Sequence, residues 1–285
     1  GSGSGKTTLT LKIIEFYKKS GKRSAALAST GMAATLLSGQ TLHSFFDFGI
    51  SNNQVELERF GKLIPSKKVI KIIESIDLII IDEISMVSAA LLDMVRLRLL
   101  QVDFKGSLLV VGDFLQLPPV VKGSSSIVFS FESESWKRFN FYPFVLQGSY
   151  RTHEENFLTL LNAVRYGELT EENTSQLDNM IILNSNHQEM TWLFGKNSSA
   201  QKYNKERLNQ LNGDLIEIKT DITVHGTHII DKDIERFLQE SRIESFLYLK
   251  LGAPILFTRN SWNYYNGEKG YILSIEEEAI WVKKE

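Results

Sequence analysis

Glycine, serine, lysine and threonine stand at the start of the chain in a spacing that suits phosphate chemistry. The first eight residues read GSGSGKTT, so glycines alternate with serines before the triplet Gly5-Lys6-Thr7. Alternating glycines let backbone amides turn inward around phosphate groups, and a lysine ammonium offsets phosphate charge. Apolar residues at helical spacing follow from Leu9 to Tyr17, so the N-terminus of a helix would face the same anion. This pattern predicts a phosphate-binding loop, with a flexible Gly-Ser linker as the alternative.

An acidic pair follows a strand-sized apolar run. Leu78–Ile81 is apolar on both pleat faces, which is typical of a central parallel strand covered by helices, and Asp82-Glu83 comes directly after it. Open α/β sheets bind ligands at the carboxyl ends of their strands. Asp82 can therefore hold Mg²⁺ together with the Thr7 hydroxyl, and Glu83 can take a proton from an attacking water. Two solvated acids at a strand end are the alternative.

A glutamine and two prolines follow a second apolar run. Leu108–Val111 leads into GDFLQLPP, which contains Gln116, Pro118 and Pro119. The amide of Gln116 has a donor and an acceptor, so it can contact both a γ-phosphate and a water. The prolines restrict the conformation of the loop. Taken alone, this segment is equally well explained as a proline-terminated turn.

The elements that must position these residues alternate between helices and strands. Strands are predicted at Ser24–Ala28, Leu78–Ile81 and Leu108–Val111. Apolar residues at helical spacing between 69 and 76, and a second helix capped by Ser88, lie between these strands. A short helix is also predicted from Met32 to Leu37. This alternation predicts an α/β fold with a parallel sheet.

A second series of elements begins near residue 144. Val145-Leu146 and Thr191–Phe194 are strand candidates, and Thr152 with Glu155 has the spacing of a capping box. A helix is predicted over Ala200–Leu211. From about residue 247, short apolar runs alternate with Gly, Pro and Asn turns, which predicts a small β unit.

Composition excludes several classes of function. Of the 285 residues, 42% are apolar and 23% charged, which is ordinary for a globular protein, and the absence of cysteine excludes thiol catalysis and disulfides. The 32 basic and 34 acidic residues give a net charge of −2, so a basic coat is excluded as the means of binding nucleic acid. No run reaches the ~18 apolar residues of a membrane span, and no secretory leader is visible. We therefore expect no membrane partner.

The motifs, taken together, resemble those of the PIF-type DNA helicases (the petite integration frequency family), relatives of RecD in helicase superfamily 1. They run in the family order as GSGSGKTT, ASTGMAA, TLHSFF, LIIIDEISMV, VVGDFLQLPPV, FESESW, SYRTHEENFLTLLNAVRYG, LKLGAPILFTRN and YYNGEKGY. The resemblance spans nearly the whole chain, and DEISM together with GDFLQLPPV is its most specific part.

The resemblance implies a fold and a division into domains. The fold would be an α/β P-loop NTPase with two RecA-like domains and a small SH3-like β insertion that is incomplete in this chain. The first RecA-like domain, 1A, would cover residues 1–143, with a small 1B excursion near 47–66. Part of the second, 2A, would cover 144–248, and the β insertion 2B would begin in 249–285.

The resemblance also implies the residues that bind and hydrolyse ATP. Mg²⁺ would be held by Thr7 and Asp82. Glu83, Gln116 and Arg151 would be catalytic, with Arg151 reaching the γ-phosphate from the second domain because a guanidinium suits charge on phosphoryl oxygens. Without the resemblance, a surface ion pair is the favoured interpretation of Arg151. The implied ATP-binding residues are Gly1, Ser2, Gly3, Ser4, Gly5, Lys6, Thr7 and Thr8.

A DNA path is implied in the same way. Hydroxyls and amides along this path would contact the phosphates of the DNA backbone. The rings of Phe45 and Phe46 could either pack in the protein or stack on a base. The role of the histidine depends entirely on its TLHS context. The implied DNA-binding residues are Thr30, Gly31, Thr41, His43, Ser44, Phe46, Asn260 and Asn266.

The function implied is ATP-driven translocation 5′ to 3′ along single-stranded DNA, with unwinding of duplex, forked or structured DNA in repair, recombination or genome maintenance. We expect a monomer located inside the cell, in the cytoplasm or nucleoid of a bacterium or the nucleus or mitochondrion of a eukaryote. One alternative is a RecD-like subunit of a repair complex. Another is a non-motor fragment that binds nucleotide and DNA, because family motifs V and VI are not contained in these residues.

Overall fold

The computed structural model describes residues 3–29, 37, 39–120, 126–150, 152, 154–181, 191–224, 230–231, 234–235, 238, 244–258, 261, 263–264, 267–277 and 279–285. The chain divides into two compact units, Gly1–Met180 and Ile181–Glu285. The expected domain boundaries near residues 143 and 248 stay predictions, because compactness alone does not mark where a RecA-like domain ends. The predicted helix at Met32–Leu37 lies almost entirely outside the described residues.

The first unit alternates helices with short strands before a series of helices. Its helices are α1 (Lys6–Lys19), α2 (Leu42–Phe45), α3 (Gln54–Arg59), α4 (Lys67–Glu74), α5 (Ala89–Gln101), α6 (Glu134–Phe139), α7 (Glu155–Tyr166) and α8 (Glu171–Asn179). Its strands are β1 (Ser24–Ala28), β2 (Gln40–Thr41), β3 (Leu78–Asp82) and β4 (Ser107–Val110), with 3₁₀ turns at Ile84–Met86 and Ser130–Glu132.

The four strands form one parallel sheet in the order β2-β1-β3-β4. All five residues of β3 are buried, and Ile79 and Ile81 belong to the same core cluster as Ile73 of α4 and Val95 of α5. The predicted α/β class with a buried central strand is confirmed. Because the strands are parallel, the segments that follow them meet at one edge, the carboxyl edge, and the segments that precede them meet at the opposite amino edge.

Within its described residues, the second unit contains a long helix and small antiparallel sheets. Helix α9 (Asn197–Gln210) precedes β5 (Ile216–Lys219), which pairs with β6 (Phe246–Leu249). A three-stranded sheet follows, formed by β7 (Pro254–Leu256), β8 (Lys269–Ile275) and β9 (Ile280–Lys284). The β unit predicted from about residue 247 is therefore observed. No helix formed by the described residues is long and apolar enough to cross a membrane.

Three local predictions between residues 144 and 194 are wrong. Val145-Leu146 and Thr191–Phe194 are not strands, and Val145 is 81% exposed. A short apolar run becomes a strand only where a neighbouring strand takes up its backbone groups, and neither segment has one among the described residues. The predicted capping box is also absent, because α7 begins after Glu154 and the Thr152 hydroxyl accepts the N–H of Glu154 instead.

A buried arginine holds the excursion after α2 against α5. Arg98 is 1% exposed, and its Nη2 donates to the carbonyl of Lys62 at 2.8 Å. Its Nη1 and Nε donate to the carbonyls of Leu63 and Phe46, each at 3.1 Å. Burial lowers the pKa of Arg98, while the negative charge of Asp47 opposes that effect. The cation thus supplies donors to three backbone carbonyls at once, of which that of Leu63 also accepts a hydrogen bond from Nε2 of Gln101.

Arg98→Met is expected to lower the free energy of unfolding by about 2–4 kcal/mol, because carbonyls then stay buried without donors. Arg98→Lys should recover only part of this loss, since one ammonium cannot reproduce the planar fork. Urea unfolding followed by circular dichroism measures the effect. Arg96→Met on the same helix is the control, because Arg96 is only half-buried. A similar small loss for both substitutions would contradict the interpretation.

Candidate active site

The phosphate loop has a backbone that suits an anion. Gly3 and Gly5 have φ of 73° and 86°, in the left-handed region that glycine adopts without strain. Ser4 between them is buried. Helix α1 starts directly after Gly5, and its first turn contains no acidic residue, so the positive end of the helix faces the loop. Gly1 and Ser2 lie outside the described residues, whereas Lys6, Thr7 and Thr8 form the first turn.

A residue from far along the chain contacts this loop. The backbone N–H of Tyr150 donates to the carbonyl of Gly3 at 2.8 Å. A Cβ added at Gly5 would lie 3.9 Å from the ring of Tyr150, so ring and loop are neighbours. Tyr150 directly precedes Arg151, which lies outside the described residues. The contact therefore places the residue before Arg151 beside the phosphate loop.

The acidic pair occupies the carboxyl edge, as its position after a buried strand predicted. Asp82 is 5% exposed, and its Oδ1 accepts the backbone N–H of Glu83 at 3.0 Å. Glu83 has φ 50° and ψ 49°, a left-handed conformation that costs a non-glycine residue energy. Such strain concentrates at functional sites. Here it turns the chain sharply, directly after the strand.

Close approach of two loops maintains this turn. The N–H of Ile84 donates to the carbonyl of Val111 at 3.0 Å. A Cβ added at Gly112 would lie 2.9 Å from both the nitrogen and the Cγ2 of Ile84, closer than real contacts allow. Glycine at position 112 therefore lets the loop after β4 pack against the turn after β3.

The charges at this edge are coupled. Burial raises the pKa of Asp82, opposed by the N–H of Glu83 and by Lys6. Burial is also the main cause that raises the pKa of Glu83, and the negative charges of Asp82 and Asp113 add to it while Lys6 opposes it. Lys6 therefore acts on both carboxylates. A carboxylate with a raised pKa is a better proton acceptor, which suits Glu83 to act as a general base.

Glu83→Gln is expected to raise the melting temperature at about pH 7.5 and to leave it nearly unchanged at about pH 4. The folded protein holds the Glu83 proton more tightly than the unfolded chain does, because burial raises the pKa. Its contribution to stability is thus fully present below the usual value of 4.5 and is lost as pH rises through the folded pKa. Differential scanning fluorimetry across pH measures the difference. Glu58→Gln, at an exposed position, should show no such trend.

A network connects Gln116 to α7. Its amide Nε2 donates to Oδ2 of Asp113 at 3.2 Å, and Oδ1 of the same carboxylate forms an ion pair with Nη2 of Arg165 at 2.8 Å. The side chain of Asp113 is only 5% exposed. Asp113 therefore orients Gln116 and is itself compensated by Arg165. Neither Asp113 nor Arg165 was a candidate site residue from the sequence.

The TLHSFF segment supplies hydroxyls and a histidine near the carboxyl end of β2. The Thr41 hydroxyl caps α2 by accepting the backbone N–H of Ser44. The residue Ser44 is exposed to solvent. Nε2 of His43 is hydrogen-bonded to the carbonyl of Ser51 at 2.9 Å, so this half-buried ring has a structural contact. Phe46 is 0% exposed, so its ring lies in the core and is not available to a base. Packing is thus the observed role of Phe46. The remaining DNA-path candidates Thr30, Gly31, Asn260 and Asn266 lie outside the described residues.

Comparison with known proteins identifies the family. The family profile described as PIF1-like helicase matches residues 1–175, more than half of the chain. The chain belongs to the PIF1-like helicase family. It is 36% identical over 299 residues to the ATP-dependent DNA helicase Pif1 of Campylobacter jejuni, and the alignment covers 99% of this chain and 67% of that relative. The resemblance in the motifs is confirmed.

Solved structures of PIF1-like helicases share the fold. Pif1 helicase from Candida albicans superposes with a TM-score of 0.80 at 27% identity, covering 98% of this chain and 65% of that one. Pif1 helicase from Bacteroides in complex with ADP-AlF3 and ssDNA gives a TM-score of 0.75 at 26% identity, covering 99% and 66%. This chain thus spans about two thirds of the length of these relatives.

The side chains at the carboxyl edge include oxygen donors that suit the Mg²⁺ expected in this PIF1-like helicase. Among the described residues, no group of three or more His, Cys, Asp or Glu side chains could form a metal cage. Mg²⁺ at nucleotide sites uses one or two protein oxygens, together with substrate phosphates and water. The Thr7 hydroxyl and the Asp82 carboxylate are hard oxygen donors of that kind, so the residues fit Mg²⁺.

Proposed function

We propose that this PIF1-like helicase binds ATP with Mg²⁺, hydrolyses it, and uses the energy to translocate 5′ to 3′ on single-stranded DNA and to unwind duplex, forked or structured DNA. The observation that carries the proposal is the grouping of acidic residues and Gln116 at one carboxyl edge, under the electrostatic influence of Lys6. The structure of the Bacteroides relative in complex with ADP-AlF3 and ssDNA supports the proposal that this protein binds a nucleotide and single-stranded DNA.

The proposed chemistry assigns one task to each side chain. The loop amides and Lys6 bind the β- and γ-phosphates and offset their charge. Gln116 orients a water, and Glu83 accepts its proton as the water oxygen bonds to the γ-phosphorus. The bond from that phosphorus to the β–γ bridging oxygen breaks, and ADP leaves with the electron pair. When bound, Mg²⁺ held by Thr7 and Asp82 supplies further charge compensation at the phosphates.

DNA binding is proposed for the hydroxyl- and amide-rich segments of the path. Thr41 and Ser44 lie where the carboxyl end of β2 meets α2, and we propose that they contact backbone phosphates with His43. Thr30, Gly31, Asn260 and Asn266 are proposed contacts on family resemblance alone. We further propose that the protein acts as a monomer inside the cell, where its DNA substrate is. Light scattering of the protein with and without DNA measures the oligomeric state.

Phosphate release with and without a single-stranded oligonucleotide tests the proposed function. We expect strong stimulation by DNA, and separation of a duplex with a 5′ single-stranded tail but not of one with a 3′ tail. Nucleotide and DNA binding without stimulated release would instead support a protein that holds both ligands without acting as a motor. Stimulated release with unwinding of only the 3′-tailed duplex would contradict the proposed polarity.

Arg165→Met is expected to lower both stability, by about 3 kcal/mol, and turnover, by about tenfold. The substitution removes the cation that compensates the buried Asp113, and loss of this ion pair lets the carboxylate that orients Gln116 shift. The double variant Asp113→Asn with Arg165→Met should recover stability, because a neutral amide needs no cation. A double-mutant cycle on unfolding free energy and turnover measures the coupling, with exposed Arg138→Met as control. If the effects of the two single substitutions simply add in the double variant, Asp113 and Arg165 are not coupled and the interpretation is wrong.

A further inference from the structure

A depression along α4 reaches the amino edge of the parallel sheet, opposite the candidate active site, and basic side chains border it with their aliphatic portions forming much of its wall. It is an open pocket of about 560 Å³ lined by Arg23, Lys67, Lys68, Lys71, Ile72 and Ser75, called the basic pocket below. The phosphate loop lies at the other end of α1, whose 14 residues span about 20 Å at ~1.5 Å per residue. The basic pocket is therefore separate from the nucleotide site.

Parallel pairing of β1 with β3 brings two distant segments to this pocket. Ser24 pairs with Leu78, so Arg23, which precedes β1, lies beside the segment that leads from α4 into β3. The N–H of Arg23 donates to Oδ2 of Asp77, and the carbonyl of Arg23 accepts the N–H groups of Asp77 and Leu78. Three hydrogen bonds thus fix the backbone of Arg23, while its side chain remains exposed at the pocket.

Two of the three lysines of α4, Lys67 and Lys68, lie where they do not stabilise that helix, whereas Lys71 is favourably placed in its last turn. Val69 and Ile73 bury the opposite face of α4, which leaves all three lysines exposed. Lys67 and Lys71 are four residues apart, a spacing at which like charges repel. The first turn of α4 contains Lys67 and Lys68 and no acidic residue, although a carboxylate is favoured at a helix N-terminus. The arrangement concentrates positive charge at some cost to the helix.

This charge is poorly compensated. Within the part of the chain that the structure describes, no ion pair is formed by Arg23, Lys67, Lys68 or Lys71. The segment from Lys67 to Leu78 contains two acids, Glu74 at the end of α4 and Asp77, one of whose oxygens accepts the N–H of Arg23. With Arg23, the three lysines of this segment give four cations in a chain of net charge −2, which favours binding of an anion.

We propose that the basic pocket binds the phosphate backbone of duplex DNA, at a site separate from the single-strand path that begins at the carboxyl end of β2. The inference rests on the proposed function, since that function supplies DNA as the ligand. Single-strand sites combine cations with aromatic rings on which bases stack, and no aromatic ring is among the residues that line the pocket. Duplex DNA offers twice the phosphate charge per length of one strand, which suits clustered flexible cations.

Neutralising the pocket lysines tests this site. The triple variant Lys67→Gln, Lys68→Gln and Lys71→Gln is compared with a control that carries Lys196→Gln, Lys202→Gln and Lys205→Gln, at exposed positions on or beside α9. Each triple variant removes three positive charges, so the two have the same net charge. Binding of a labelled blunt duplex and of a single-stranded oligonucleotide is measured by fluorescence anisotropy over a range of salt, without nucleotide.

In the pocket variant we expect duplex affinity to fall about tenfold. The slope of log affinity against log salt concentration should become shallower by about two to three, because each lost phosphate contact removes about 0.9 from it. Single-strand affinity and DNA-stimulated phosphate release should match the unsubstituted protein, and the melting temperature should not fall, because like-charge repulsion on α4 is removed. The control should keep both duplex affinity and slope.

Three results would overturn the site. The first is an unchanged duplex affinity and salt slope in the pocket variant, and the second is an equal loss of duplex affinity in the control variant. The third is a pocket variant that no longer binds a polyglutamate peptide but still binds the duplex. The last would assign the pocket to an acidic protein segment. A duplex-specific loss in the pocket variant, with no DNA-stimulated release in the unsubstituted protein, would support the site and contradict the proposed function instead.

Discussion

Glu83→Gln is expected to reduce ATP hydrolysis by about 10²- to 10⁴-fold while ATP binding persists, since a general base contributes factors of that size. The amide keeps the shape of the side chain at the end of β3 but cannot accept the proton of the attacking water. Lys6→Ala, by contrast, should weaken nucleotide binding as well as hydrolysis, because the ammonium offsets phosphate charge in both. Phosphate release and titration with a fluorescent nucleotide, performed in parallel, separate the two effects.

Glu58→Gln is the matched control for this substitution, because it removes the same charge from an exposed position on α3. It should bind and hydrolyse ATP normally. Normal hydrolysis by a well-folded Glu83→Gln variant of the full-length protein would remove Glu83 from the catalytic role. Loss of nucleotide binding in that variant would instead mean that the carboxylate shapes the phosphate loop.

The placement of Asp82-Glu83 could be predicted because it depends on local and regular features. Leu78–Ile81 is apolar at every position, so it can only be covered on both faces, and in a parallel sheet the residues after such a strand reach the carboxyl edge. The parallel pairing of β4 with β3 likewise placed Gln116 at this edge, although β4 is only half-buried. The phosphate loop was predictable because Gly3 and Gly5 provide the conformations that its turn requires.

Features that depend on distant partners could not be predicted. Arg98 and Arg165 lie in helices, where a cation normally faces solvent, and their residue type gives no indication that they are buried or paired. The partner of Arg165 is Asp113, 52 residues earlier in the chain. For Val145 the prediction was wrong in the opposite direction: its apolar character suggested a strand, but none of the strands formed by the described residues pairs with it.

Arg151→Ala is expected to lower DNA-stimulated turnover by about 10³-fold, the contribution that arginine fingers supply in phosphoryl transfer. Folding should be intact and ATP affinity only modestly changed, because the charge that Arg151 compensates develops during the reaction. The hydrogen bond from Tyr150 to Gly3 supports this role, since it holds the residue before Arg151 against the phosphate loop. Arg151→Lys should recover little of the activity, because a point charge lacks the planar fork.

Turnover and melting temperature of Arg151→Ala, measured in a chain that extends through motif VI, distinguish a catalytic arginine from a surface ion pair. A surface ion pair would change melting temperature slightly and turnover hardly at all. Arg138→Ala is the control, since Arg138 is exposed in the last turn of α6 and should leave turnover unchanged. Near-normal turnover of a folded Arg151→Ala variant would exclude the finger.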